Sequence, residues 1–194
     1  MGRGVSLRPR VKRVKGSGMQ MHEIGPSLGV LFSELLAGAA AGGASFILNS
    51  GDAGLLRSLD LLSAADASRS VHGGATIAAH TQHMRYGLSL MNRWSTEGAN
   101  AFANPDWDAP WKMSTVDDGE WTEIRSGLRT EARRWSEVLA RPREVTGVEL
   151  TGLIASVAHV AYHLGAVRQI NKDARGPKEG TFPNPRDAPT QPRS

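Results

Sequence analysis

The chain contains no cysteine. That excludes a disulfide scaffold, a thiolate zinc finger, an iron–sulfur site and a cysteine nucleophile. Any metal has to be held by His, Asp or Glu. No unbroken apolar run of spanning length is present, so the sequence argues against a transmembrane helix. The weakly polar stretch from Leu35 to Leu48 is rich in Ala and Gly and is too short. Acid is missing from residues 1–15, which hold Arg3, Arg8, Arg10, Lys12, Arg13 and Lys15. No apolar segment follows these charges, so a secretory signal is not indicated.

What is present is globular in balance. Over 194 residues, 40% are hydrophobic and 22% charged, enough to bury one core. The net charge of +4 invites a nucleic-acid reading. The six basic groups of the leader exceed that net charge by two, so the remainder is mildly acidic at −2. The basicity therefore belongs to a leader, and nucleic acid is not the expected partner. Residues 1–21 read as a disordered basic leader, because they lack a hydrophobic period. Residues 176–194 read as a disordered Pro-rich tail holding Pro177, Pro183, Pro185, Pro189 and Pro192, half of the ten prolines. The folded domain is expected over residues 22–175.

Four long helices are predicted inside that domain. The first spans about Ser27 to Ile47, with Leu28, Leu31, Phe32, Leu35 and Leu36 at helical spacing. A short helical piece, about Gly54 to Leu62, sits in the connection after it. The second runs from about Thr76 to Thr96. The third begins after Thr115 or Asp117 and ends near Leu139, with Asp117, Asp118 and Glu120 at its positive end. The fourth, about Glu149 to Lys172, is apolar nearly all round, which predicts that it is buried among the others. These elements predict an all-α fold, a four-helix bundle.

Four of the six histidines lie on apolar helical arcs: His80 and His83 on the second helix, His159 and His163 on the fourth. His159 and His163 are four residues apart, so their rings share one face and can address one metal. Val160 stands where a zincin would carry its catalytic Glu. A bundle can bring His80 or His83 opposite the pair, and helical geometry leaves both open. Three neutral imidazoles with a free fourth position make a zinc site that also suits nickel or iron.

The run from His159 through Tyr162-His163-Leu-Gly-Ala-Val-Arg168-Gln169 resembles the last-helix HxxxH signature of the DinB-like superfamily. Thr76-Ile-Ala-Ala-His80-Thr-Gln-His83-Met resembles its second-helix motif. The Leu48 to Leu56 connection and the Asp106-Trp107 to Trp111 loop resemble a bacterial branch. The likeness covers about Glu23 to Gly176. It implies an up-down bundle with a long connection between helices 2 and 3. It also implies a divalent metal, zinc or nickel, on His83, His159 and His163, with His80 as the competing ligand. The family's Gln after the HxxxH glycine is displaced here to Gln169. Relatives that use mycothiol or bacillithiol imply a metal-dependent transferase or isomerase working with a low-molecular-weight thiol on a small-molecule substrate. Tyr86, Tyr162, Arg85 and Arg168 are candidates to bind an anionic substrate or polarise a leaving group. The five tryptophans are candidates to wall a pocket, with Trp121 and Trp135 expected in the core. A homodimer in the cytoplasm is expected. The alternative is a non-catalytic bundle, metal-stabilised or metal-free, in a stress response.

Overall fold

The computed structural model describes residues 19–40, 42–97 and 100–177. Among them the protein is all-α. The leader as far as Gly18 and the tail from Lys178 onward lie outside the described residues. The helices are α1 (Met21–Ala37), α2 (Gly54–Asp60), α3 (Ala64–Ala67), α4 (Ile77–Glu97), α5 (Asp118–Ala140) and α6 (Gly147–Ile170). Two-residue strands, β1 (Met19–Gln20) and β2 (Glu144–Val145), pair antiparallel.

The caps explain where α5 and α6 start. Asp117 accepts the Glu120 N–H while Glu120 accepts the Asp117 N–H, and Thr146 and Glu149 do the same for α6. Thr76 Oγ1 accepts the Ala79 N–H at 3.2 Å at the head of α4. α4 packs on α5 and α6, and α1 also packs on α5 and α6. Phe32, Leu35, Met84, Leu128, Trp135, Leu153 and Val160 are buried between them. Trp121 and Trp135 are core residues, as expected. Their indole N–H groups donate to Leu62 O at 2.9 Å and to Ser156 Oγ at 2.8 Å.

Two sequence expectations need correction. α1 stops at Ala37 instead of Ile47, and it starts at Met21, with Pro26 inside it. Gly38 ends it at φ +83°, and a Cβ there would lie 2.0 Å from Asp52 O. The chain beyond is held by Glu34, whose carboxylate accepts the N–H groups of Phe46, Ile47 and Leu48 at 2.7–3.1 Å. α6, secondly, is not buried all round: Val148, Ile154 and Tyr162 are exposed at 75%, 51% and 70%. α6 is also long and apolar enough to meet the length and composition of a membrane span. A core helix passes the same test, and α6, interrupted by Glu149, His159, His163 and Arg168, packs on α1 and α4. Residues 98–117 join α4 to α5, and residues 38–76, carrying α2 and α3, form a longer connection from α1 to α4.

Candidate metal centre

α4 and α6 run against each other, and their inward arcs bring four imidazoles together. His83 Nε2 lies 3.1 Å from His159 Nε2. His163 Nε2 lies 2.9 Å from the same atom. One ligand nitrogen from each of the three rings falls within 4.8 Å of the others. This group could hold a metal ion.

The donor chemistry fits a cation. His159 Nε2 faces two imidazole nitrogens at hydrogen-bonding distance, yet a neutral ring nitrogen either donates one bond or accepts one. One neighbour is therefore left facing it without a bond. Three lone pairs turned on one cation remove that conflict. Two nitrogens bound to a tetrahedral zinc at ~2.0–2.1 Å lie about 3.3–3.4 Å apart. The observed 2.9 and 3.1 Å need only a small outward movement to reach this.

His80 and His83 differ in which nitrogen each ring presents to the cluster. His80 contacts His163 through Nδ1 on both sides, at 2.9 Å. It thus sits behind His163, on the nitrogen turned away from the cluster centre. When His163 Nε2 offers its lone pair, its Nδ1–H donates to His80 Nδ1, the arrangement by which a partner outside the coordination sphere orients a ligand. His83 has no such support, since its buried Nδ1 has no hydrogen-bond partner.

Electrostatics favour the neutral rings a metal needs. Burial pushes the His163 imidazole down to about 3 and the His83 imidazole down to about 4, with repulsion from neighbouring rings adding to both. His80 and His159 are lowered by burial.

The connection between α4 and α5 covers the cluster. Its 3-10 turn, Ala109–Lys112, packs on α4 and carries Trp111. That indole stacks on His83 with ring centres 4.4 Å apart and meets His80 edge-on at 5.3 Å. Trp107 lies 5.7 Å from His83. Tyr86 holds this loop, its hydroxyl oxygen accepting the Asp106 N–H at 3.0 Å.

The other candidate residues are placed elsewhere. Arg168 is committed to Asp52 by two bonds of 2.7 Å, so it does not face a substrate. Arg85 pairs with Glu123 at 3.4 Å and crosses α5 at Gly127, where a Cβ would lie 2.4 Å from its Nε. Gln169 accepts a bond from Arg175 at 3.1 Å and plays no part at the cluster. Tyr162 does not pack in the interior; it is exposed, with its ring 5.0 Å from that of His163.

Sequence reasoning passed over Gly87 and Gly152. A Cβ at Gly87 would lie 3.4 Å from His159 Cε1, and one at Gly152 would lie 2.9 Å from Trp94. A glycine at mid-helix, one turn after His83 for Gly87 and two turns before His159 for Gly152, was the available signal. Compared with known proteins, the chain matches no family model, no curated protein and no solved structure.

Proposed function

We propose that the chain is an up-down four-helix bundle of the DinB-like kind, formed by α1, α4, α5 and α6. In this reading His83, His159 and His163 hold one divalent cation, zinc or nickel, and the protein is a transferase that works with a low-molecular-weight thiol. One observation carries it: three imidazole nitrogens converge within 4.8 Å, with a fourth imidazole bonded behind one of them.

A divalent cation on three imidazoles keeps a position for a thiol sulfur and lowers its pKa. The chain's own residues prepare that position. His80 fixes the ring of His163. Trp111 covers His83 and keeps water from that side of the cluster. Tyr86 anchors the loop that carries both Trp107 and Trp111. The missing cysteine fits this division of labour, since the nucleophile comes from outside. A homodimer, a small-molecule substrate and a cytoplasmic location go with the same reading.

The test is metal content on protein purified without a His tag, followed by a thiol-transfer assay with mycothiol or bacillithiol. Near-stoichiometric zinc or nickel, lost in His83→Ala and His159→Ala, supports the centre. Thiol consumption that depends on the metal supports the transferase. Metal bound without thiol chemistry assigns a non-catalytic, metal-stabilised bundle instead.

A further inference from the structure

A cavity of about 860 Å³ opens between α4 and α6, and His159, one of the candidate ligands, lines it. That size suits a small organic ligand. Three rings form one wall. Trp94 meets Phe102 edge-on at 6.1 Å, and Phe102 stacks on Trp107 at 6.4 Å. The opposite wall is α6, where Gly152 and Ala155 keep the surface low. Gly152 lets Trp94 lie directly over the helix backbone, since a Cβ there would sit 2.9 Å from the indole. Gly87 likewise leaves room for the His159 ring at the inner end. No Asp, Glu, Lys or Arg lines the cavity among the described residues. The arginines of α4 and α6 are engaged elsewhere: Arg85 with Glu123, Arg93 with Glu97 and Arg168 with Asp52. In the apo protein an anionic ligand would lose its hydration there and find no counter-charge among the lining side chains.

We propose that this cavity takes an uncharged aromatic small molecule and sets its reacting end at His159. The aromatic walls offer stacking, and the cavity shares His159 with the candidate metal centre. The placement of the reacting end rests on the metal reading above; binding to the walls does not.

The test uses 1-naphthol and 1-naphthoate, which share a ring system and differ in charge at neutral pH. Each is titrated against the full chain, apo and zinc-loaded, by tryptophan fluorescence and calorimetry. The expected result is 1-naphthol bound at least about tenfold more tightly than 1-naphthoate in the apo form. Ala155→Trp puts an indole into the cavity from an exposed position of α6. It should weaken 1-naphthol at least about tenfold while zinc content and melting temperature stay as in the wild type. Equal binding of the two probes in the apo form, no binding of 1-naphthol, or binding unaltered in Ala155→Trp overturns the proposal. So does a dimer that Ala155→Trp splits while 1-naphthol fails to bind, which would assign this face to a second copy. If the wild type takes up no zinc, the metal reading has failed by itself, and the apo titrations still decide the cavity.

Discussion

At the scale of single residues, the cluster separates candidate ligands from a candidate support. His159 Nε2 is shared between His83 and His163, so His159→Ala removes the centre of the group and is expected to abolish metal binding. His80 meets the cluster through the rear nitrogen of His163. His80→Ala should keep the metal but weaken its affinity about 10–100-fold, the usual effect of losing a partner outside the coordination sphere. Competition with a chromophoric chelator checks both, and unchanged affinity in His80→Ala would remove its positioning role. Glu34 is the other buried group with a clear task. Burial pushes its carboxyl up, but three backbone N–H donors outweigh this and hold it below the usual range. Glu34→Ala leaves those donors without their partner in a site where Glu34 is 2% exposed. A loss of about 1–3 kcal/mol in a urea titration is expected.

At the scale of elements, the loop over the cluster and the end of α1 depend on single contacts. Tyr86→Phe removes the acceptor for the Asp106 N–H. Faster hydrogen exchange at Asp106 and neighbouring amides is expected, with α4 itself unchanged. Gly38 sits at φ +83° with its Cα against the Asp52 carbonyl. Gly38→Val therefore meets both backbone strain and a clash. It should lower the melting temperature by more than Gly42→Val, which shares the positive φ, at +72°, but meets nothing within 4 Å. An equal effect of the two would mean that the contact with Asp52 is unimportant. α6 has the opposite character: it is apolar on every side, yet one side is open, and the candidate cavity uses that side.

At the scale of the whole molecule, the histidines couple stability to pH. His83 and His163 have folded-state values near 4 and 3, below the ordinary 6.5. The unfolded chain then binds more protons than the folded one between about pH 6.5 and 3. Stability of the apo protein is complete above that window and falls as pH drops through it. Thermal melts at stepped pH should show this fall, reduced in His163→Ala; a flat profile would contradict buried neutral rings. In the metal reading, zinc binds the folded chain alone, so the melting temperature should rise with free zinc.

Much of this was legible from sequence because it is local. Helical spacing placed four inward histidines, and Asp117 announced the start of α5 through nearest-neighbour hydrogen bonds. The starts of α4, α5 and α6 were read to within a few residues for the same reason. Local rules misplaced both ends of α1. Its Ala-rich end favours continued helix, and only Glu34, Gly38 and Asp52, brought together across the chain, stop it. Nor could they separate His80 from His83, since both lie on the inner arc of α4. Which nitrogen faces which neighbour depends on ring rotation and on the register of α4 against α6. Arg168 looked available beside the HxxxH pair, until the fold set Asp52 against it from 116 residues away. Sequence by itself determined the all-α composition and the stock of imidazoles, because periodicity and capping act within a few residues. Tertiary structure alone decided which three imidazoles converge, which arginines are engaged and where a cavity opens, because those depend on contacts between segments far apart in the chain.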